Sequence, residues 1–181
     1  MDTGDDTVII GTSVTIPITI NHFGEGMDRL NNLGSGIVFA RGDDGDDWLE
    51  GGSANDQLFG GPGDDFIDGK AGQDWIEGGD DSDFLIGGTN TDIINGGAGN
   101  DRIADTVNNY FFYQTSYDLE TIKSALGGND IIDGGDGADV ILGGSGNDVI
   151  NGGAGEDLLI GDDGTVTFSQ EGMTFTLTDL D

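Results

Sequence analysis

Residues 42–104 read G-D-D-G-D-D-W-L-E, G-G-S-A-N-D-Q-L-F, G-G-P-G-D-D-F-I-D, G-K-A-G-Q-D-W-I-E, G-G-D-D-S-D-F-L-I, G-G-T-N-T-D-I-I-N and G-G-A-G-N-D-R-I-A, which are seven copies of one nine-residue pattern. Every copy begins with glycine, holds aspartate at the sixth place and holds leucine or isoleucine at the eighth. A period this regular is the signature of a solenoid, in which successive copies stack on one another. The stretch therefore predicts an all-β solenoid with one thin apolar seam.

Four more copies follow an interruption, and the first of them starts irregularly at Ala125. The interruption is rich in aromatic residues, and its apolar spacing predicts a short helix from about Tyr117 to Leu126. We expect this insert to cover the ends of the two repeat blocks. The chain then divides into a degenerate N-terminal extension of the roll at 1–41, a first block at 42–104, the insert at 105–126, a second block at 127–160 and a C-terminal strand segment at 161–181.

The flanking segments carry strand patterns of their own. The residues from Thr165 onward alternate apolar and polar side chains as a hairpin does. Met1 occupies the first place of a nonapeptide, M-D-T-G-D-D-T-V-I, so we expect the chain to be a piece of a longer array. An edge strand before the first block is predicted by four alternating apolar residues that should face inward, Val14, Ile16, Ile18 and Ile20.

The composition points to cations as partners. The 181 residues include 36 acidic and five basic side chains, for a net charge of -31, so the folded chain would repel itself without counter-charge. This balance argues against nucleic acid or an anionic membrane as a partner, and no apolar run is long enough to cross a bilayer. There is no cysteine, so hard oxygen ligands remain, and these favour calcium. Without metal we expect the glycine-rich chain to be disordered.

The turns between strands are predicted to pass through the left-handed backbone region, which glycine enters without strain. Where the fourth place of a copy is not glycine, it is Asp81 or Asn90, residues that tolerate this region, except at Ala54. Ala54 should therefore lie in a mildly strained turn. Lys70 departs from glycine at a second place and would bring a positive charge close to a cation site.

One nonapeptide has too few oxygens to surround a calcium ion, so sites should be shared between copies. If each copy forms a turn and a short strand, two copies complete one coil and residues eighteen apart become neighbours. The spacing then predicts five shared pairs in the first block, namely Asp47 with Asp65, Asp65 with Asp83, Asp83 with Asp101, Asp56 with Asp74 and Asp74 with Asp92.

The copy G-G-A-G-N-D-R-I-A at residues 96–104 resembles the signature of the RTX (repeats-in-toxin) family almost letter for letter. The resemblance covers about residues 42–104 and 127–160. It implies a parallel β-roll that binds calcium in its turns, within proteins exported by bacterial type I secretion. It also implies that the sixth-place aspartates are the charged metal ligands: Asp47, Asp56, Asp65, Asp74, Asp83, Asp92, Asp101, Asp130, Asp139, Asp148 and Asp157.

The resemblance further implies backbone ligands. Carbonyls of the second and fourth places would act with the aspartate of one coil, and those of the first and third places with the aspartate of the next. In the first pair of coils, Asp43, Gly45 and Asp47 would then meet Gly60, Pro62 and Asp65. On the same basis we expect metal contacts from Gly52, Gly61, Gly63, Gly97, Gly99, Gly135, Gly137, Gly144, Gly146 and Gly152.

The number of neighbouring copies predicts roughly eight calcium ions. Residues 23–31 also fit the pattern at Gly26, Asp28 and Leu30, and Asp6 holds a sixth place near the N-terminus. For Asp6 and Asp28, metal ligation and a solvated turn carboxylate both remain open. We expect the only histidine, His22, to be a surface residue, because it has no partner for a zinc site.

Three aromatic residues recur eighteen apart at the seventh place of the pattern, Trp48, Phe66 and Phe84, and should point outward from one sheet, with Trp75 on the other. Such a row could be a platform for a glycan or a cell surface. The simpler interpretation is that flanking segments such as residues 10–40 or 105–126 cover it. An ice-binding surface is disfavoured because the third and fifth places lack a regular rank of threonine.

No catalytic signature such as H-E-x-x-H or G-x-S-x-G is present, so we expect no enzyme activity. The expected function is that of a secreted, extracellular bacterial segment that folds when it binds calcium and serves as a scaffold or spacer for neighbouring segments of the parent chain. The alternative is an adhesin-like or carbohydrate-binding module that uses the aromatic row.

Overall fold

In a computed structural model of the protein, the structure describes residues 3–104, 120–123, 128–144, 146–161, 164–169 and 172–177. These residues form strands and turns without a helix, and two parallel sheets face each other as a β-roll. The chain alternates between the sheets, so consecutive strands of one sheet are two copies apart. The predicted all-β parallel roll is confirmed.

The first sheet has eight strands, each paired in parallel with the next. The seventh place of one copy pairs with the seventh place of its neighbour, as in Trp48 with Phe66. In order across the sheet the strands are β1 (Thr7–Ile10), β4 (Arg29–Asn32), β7 (Trp48–Glu50), β9 (Phe66–Asp68), β11 (Phe84–Ile86), β13 (Arg102–Ala104), β16 (Val140–Leu142) and β18 (Leu158–Ile160).

The second sheet has seven parallel strands on the opposite side of the roll. Its order is β2 (Ile18–Ile20), β5 (Val38–Arg41), β8 (Gln57–Pro62), β10 (Trp75–Asp80), β12 (Ile93–Ala98), β15 (Ile131–Asp136) and β17 (Val149–Asn151). A short pair connects two turns, β3 (Gly24–Glu25) with β6 (Asp43–Asp44). The N-terminal region thus contributes strands to both sheets.

The core of the roll is a single file of aliphatic side chains between the two sheets. The eighth-place residues are buried along most of its length, from Leu49 to Ile141, whereas Leu159 in the last coil is 44% exposed. Between the sheets each copy contributes one aliphatic side chain, so this seam is thin, and a second, smaller buried cluster of Ala104, Val140, Leu142 and Ile160 lies apart from it.

The roll continues across the insert. β12 pairs with β15, and β13 pairs with β16, so the last strands of the first block contact the first strands of the second. The expectation that the insert covers the ends of the two blocks is therefore wrong, since those ends pair with each other. The predicted helix is also wrong at β14 (Glu120–Lys123), which is a strand; the rest of that segment lies outside the described residues.

The C-terminal hairpin is confirmed as β19 (Gly164–Ser169) and β20 (Gly172–Leu177), which pair antiparallel. β14 adds to its other edge and completes a three-stranded sheet. The predicted N-terminal edge strand is also present as β2, at the edge of the second sheet, but it is shorter than expected. Ile16 precedes it and is 65% exposed, so the inward position predicted for Ile16 is wrong.

Candidate metal sites

The sixth-place aspartates lie in two columns, one along each edge of the roll. In each column, one carboxylate oxygen accepts a hydrogen bond from the backbone N–H of the aspartate in the preceding coil. Asp47 donates to Oδ1 of Asp65 at 2.8 Å, and Asp56 donates to Oδ1 of Asp74 at 2.7 Å. The first column is Asp28, Asp47, Asp65, Asp83, Asp101, Asp139 and Asp157; the second is Asp56, Asp74, Asp92, Asp130 and Asp148.

These bonds join every pair that the eighteen-residue spacing predicts. They also join two pairs that it does not, because the columns cross the insert. Asp92 donates to Asp130 and Asp101 donates to Asp139, both at 2.8 Å and both thirty-eight residues apart. Asp28 belongs to the first column as well, is only 2% exposed, and accepts from the N–H of Asp6.

The second carboxylate oxygen is buried without a hydrogen-bond partner in most of these aspartates. The atoms concerned are Oδ2 of Asp47, Asp65, Asp74, Asp83, Asp92, Asp101 and Asp139. A buried carboxylate oxygen without a donor is costly, since its hydration has been removed and nothing replaces it. A repeated oxygen of this kind indicates that a ligand outside the chain completes each site.

Each of these unpartnered Oδ2 atoms lies beside the first-place glycine of its copy, in most copies together with a backbone carbonyl oxygen of the next coil. We call this space, which a Cβ would fill, a cradle. A Cβ added to Gly69 would meet Oδ2 of Asp74 and would lie 2.6 Å from the carbonyl oxygen of Gly87 in the next coil. The same cradle recurs at Gly42, Gly60, Gly78, Gly96 and Gly134. A side chain would fill this space, so glycine here leaves room between oxygen atoms of two successive coils.

The donor atoms fit a hard divalent cation. Carboxylate and carbonyl oxygens are the ligands that calcium prefers, and nitrogen or sulfur ligands for zinc are missing from the cradles. Within the described part of the chain, no three acidic or histidine side chains gather in a group that could hold a metal. A cation in a cradle would therefore need backbone carbonyls besides the carboxylates.

Burial raises the pKa of these carboxyl groups well above its ordinary value of 3.8. Loss of solvation is the main cause, and the neighbouring aspartates of the column add repulsion, while the backbone donors oppose it. The pKa rises to about 8 for Asp65, Asp74 and Asp83 and to about 7 for Asp47 and Asp92. Without a cation, Asp65, Asp74 and Asp83 therefore resist ionisation at neutral pH.

Several residues that were predicted to supply backbone ligands lie next to one another in successive coils. In the first pair of coils, Gly45 donates its N–H to the carbonyl of Pro62 at 2.8 Å, and a Cβ on Gly61 would meet the carbonyl of Asp43. Further along, Gly97 pairs with Gly135, and a Cβ on Gly137 would meet the carbonyl of Gly99. The residues predicted to share a site therefore lie in adjacent coils.

Two predictions about the turns have different outcomes. Asp81 and Asn90 do adopt positive φ, at 76° and 85°. Ala54 does not, so the strain predicted at Ala54 is wrong, and its turn takes a different backbone path. Lys70 has a φ of 72°, and its carbonyl accepts the N–H of Thr89 at 2.7 Å.

Further hydrogen bonds between coils run beside both aspartate columns, at the fifth place of the copies, and sequence reasoning missed them. Here the side-chain oxygen accepts from the N–H of the following coil, as Asn100 Oδ1 does from Ala138 at 2.9 Å. Asp46, Asn55, Asp64 and Asn129 act in the same way. The signal was present, because the fifth place mostly holds a short side chain that can accept a hydrogen bond.

The rings of the aromatic row on the first sheet contact one another, and only Phe66 and Phe84 are stacked in parallel. The ring centroids of Trp48 and Phe66 are 4.3 Å apart, and those of Phe66 and Phe84 are 5.9 Å apart. Phe66 is only 7% exposed and its two neighbours are half-buried, so little of the row faces solvent. Residues 105–119, named in the simpler interpretation as part of a cover, lie outside the described residues.

His22 is a surface residue, as predicted, and its Nδ1 lies 2.9 Å from the carboxylate oxygens of Asp43. In the described part of the chain, no helix is long and apolar enough to cross a membrane.

A family model described as the RTX calcium-binding nonapeptide repeat matches the chain in four copies, over residues 41–76, 68–103, 124–150 and 133–167. Together these matches cover more than half of the chain. No curated protein matches it.

Proposed function

The chain belongs to the family of RTX calcium-binding nonapeptide repeats, and on this premise we propose that it is a calcium-triggered folding segment of a larger secreted bacterial protein. In this role it remains extended where calcium is scarce, inside the cell, and folds outside into a rigid spacer or scaffold. The observation that carries the proposal is the repeated buried Oδ2 atom that has no hydrogen-bond partner, at seven sixth-place aspartates.

Each ion would be held between two successive coils. In the first column, Asp47 and Asp65 would supply carboxylate oxygens, and Gly60 would supply a carbonyl. Bound calcium supplies two positive charges per site, which offset the repulsion within the column. The chain's own contribution is to hold the carboxylates in register, through the N–H donated by one aspartate to the next, and to keep side chains out of the cradles.

Binding and folding are then one event. The single aliphatic seam and the net charge of -31 leave the metal-free roll without enough stabilisation. Because a site exists only when two coils stack, an unfolded chain offers no complete site. At the affinities typical of extracellular calcium modules, ~0.1 to 1 mM, the transition would fall between intracellular and extracellular calcium levels. Export as an unfolded chain by type I secretion is compatible with this behaviour.

Circular dichroism during a calcium titration tests the proposal. In chelator we expect a disordered spectrum, and on adding calcium a cooperative gain of β-structure, with magnesium at equal concentration as the control. Magnesium should have little effect, because it requires near-ideal octahedral geometry and gives up its water reluctantly. A chain that is already folded in chelator, or that responds equally to both ions, would contradict calcium-triggered folding.

A further inference from the structure

One turn of the second column differs from the others. In most copies the residues at the second and fourth places have positive φ, for example Gly61 and Gly63, both at 133°. In the copy at 51–59 neither Gly52 nor Ala54 enters this region. Ala54 carries a Cβ that disfavours the left-handed conformation, which explains the different path. The second and fourth places of this turn therefore differ from those of its neighbours, although a Cβ on Gly51 would still meet Oδ2 of Asp56, as at the other first places.

The different path changes the hydrogen bonds of the aspartate in this copy. The N–H of Gly52 turns inward and donates to Asp56 Oδ2 at 2.7 Å, while the N–H of Val38 donates to Oδ1 at 2.6 Å. Both carboxylate oxygens of Asp56 therefore have protein donors. In Asp74 and Asp83, by contrast, Oδ2 is buried without any.

A positive charge lies in the adjacent coil. Lys70 occupies the second place of the copy that stacks on residues 51–59, and its Nζ lies 3.6 Å from Oε2 of Glu50. Its charge also lowers the pKa of Asp56, against the larger effect of burial, which raises it. A calcium ion placed between these two coils would be repelled by the ammonium group and would meet a carboxylate that is already hydrogen-bonded.

We propose that the site between residues 51–56 and 69–74 takes no calcium, and that Lys70 together with the N–H groups of Gly52 and Val38 takes the place of the ion. This inference rests on the proposed function, because it names a position of the array where the proposed calcium site is not used. The first two coils of the second column would then stack without calcium, and calcium would be needed from the Asp74–Asp92 pair onward.

Native mass spectrometry, which counts bound ions as integers, tests the inference in saturating calcium. The double variant Ala54→Gly with Lys70→Gly restores glycine at both departing positions and removes the charge. We expect it to bind one ion more than the unmodified chain. The matched control is Asn90→Gly, which changes a fourth place that already has positive φ and should leave the count unchanged.

A second variant keeps the test decisive if the glycine variant folds poorly. Asp56→Asn should bind as many ions as the unmodified chain, because Asp56 holds none. The inference is overturned if Asp56→Asn loses an ion, or if the folded double variant gains none. If the unmodified chain binds no calcium at all, the proposed function fails together with the inference, so the two failures are distinguishable.

Discussion

The two aspartate columns are built from the same repeat, yet the second begins with a turn unlike any in the first block of the other. In the first column, Asp47, Asp65, Asp83 and Asp101 each retain a buried oxygen without a donor. The second column begins at Asp56, where both carboxylate oxygens accept backbone N–H groups and the positive charge of Lys70 lowers the pKa. The aspartate alone therefore does not define a site. The second and fourth places decide it, because they set the direction of the N–H groups in the turn.

The largest expected effect comes from neutralising one aspartate in each column. Asp83→Asn removes a charge from a site that needs it and should cost the calcium-loaded roll ~1.5–3 kcal/mol, so the calcium concentration at the folding midpoint should rise. Asp56→Asn should raise it less, because it costs only one neutral hydrogen bond, ~0.5–1.5 kcal/mol. The midpoints are measured by circular dichroism during calcium titration.

Equal shifts in the two variants would show that Asp56 and Asp83 lie in equivalent sites after all. The amide retains one oxygen, so the N–H of Asp65 still has its acceptor in Asp83→Asn, and the comparison isolates the charge. Thermal unfolding in saturating calcium serves as the control for general destabilisation.

A smaller effect is expected from acid in the absence of calcium. The folded-state pKa of Asp65 and of Asp83 is about 8, against 3.8 for an ordinary carboxyl group, so the folded chain binds more protons than the unfolded one between these values. The metal-free fold is therefore most favoured below about pH 4 and loses stability as pH rises through 8. Lowering the pH in chelator should increase the β-signal in circular dichroism.

Asp83→Asn sharpens this prediction, since the amide carries no charge at any pH. The variant should show a weaker pH dependence in chelator than the unmodified chain, although it needs more calcium to fold. A metal-free chain whose spectrum does not change between pH 8 and pH 4 would contradict the assignment of buried carboxylates in the columns.

The smallest effect is expected from the fifth-place hydrogen bonds. Asn100→Ala removes the acceptor of the Ala138 N–H and should lower the stability of the calcium-loaded roll by ~0.5–1.5 kcal/mol. Asn147→Ala is the matched control, because its backbone N–H is the donor to Asn129 and survives the change. Denaturant unfolding in saturating calcium measures both variants, and equal losses would mean that the side-chain oxygen of Asn100 contributes nothing.

The fold and the aspartate register could be predicted from the sequence because both follow from strict spacing. Aspartates and aliphatic residues recur every nine positions, so which residues stack is a matter of counting, as the Asp47–Asp65 bond illustrates. The backbone conformation at Ala54 could not be predicted by counting positions. It depended on whether the turn would accept strain or change its path, and the alternative hydrogen bond from Gly52 to Asp56 made the second path available.

The spacing of the repeats also could not predict that the roll continues across the insert. Residues 101 and 139 are not one coil apart in sequence, and only the pairing of β13 with β16 shows that they are neighbours. Local apolar spacing predicted a helix where β14 is a strand, because pairing with β19 determines the conformation there and is a contact distant in sequence. Ile16 was misplaced because alternation was extended beyond the strand that actually forms.

The junction at Ala104 has an evolutionary consequence. A coil is positioned by pairing with the strands of the preceding coil, whatever the length of chain between them. New sequence can therefore be inserted between two coils during evolution while the strand pairing is retained. Lengthening such an excursion costs little, about 0.6 kcal/mol for each doubling. Selection can therefore test novel segments at this point without dismantling the array, and a protein engineer could graft a foreign domain at the same junction.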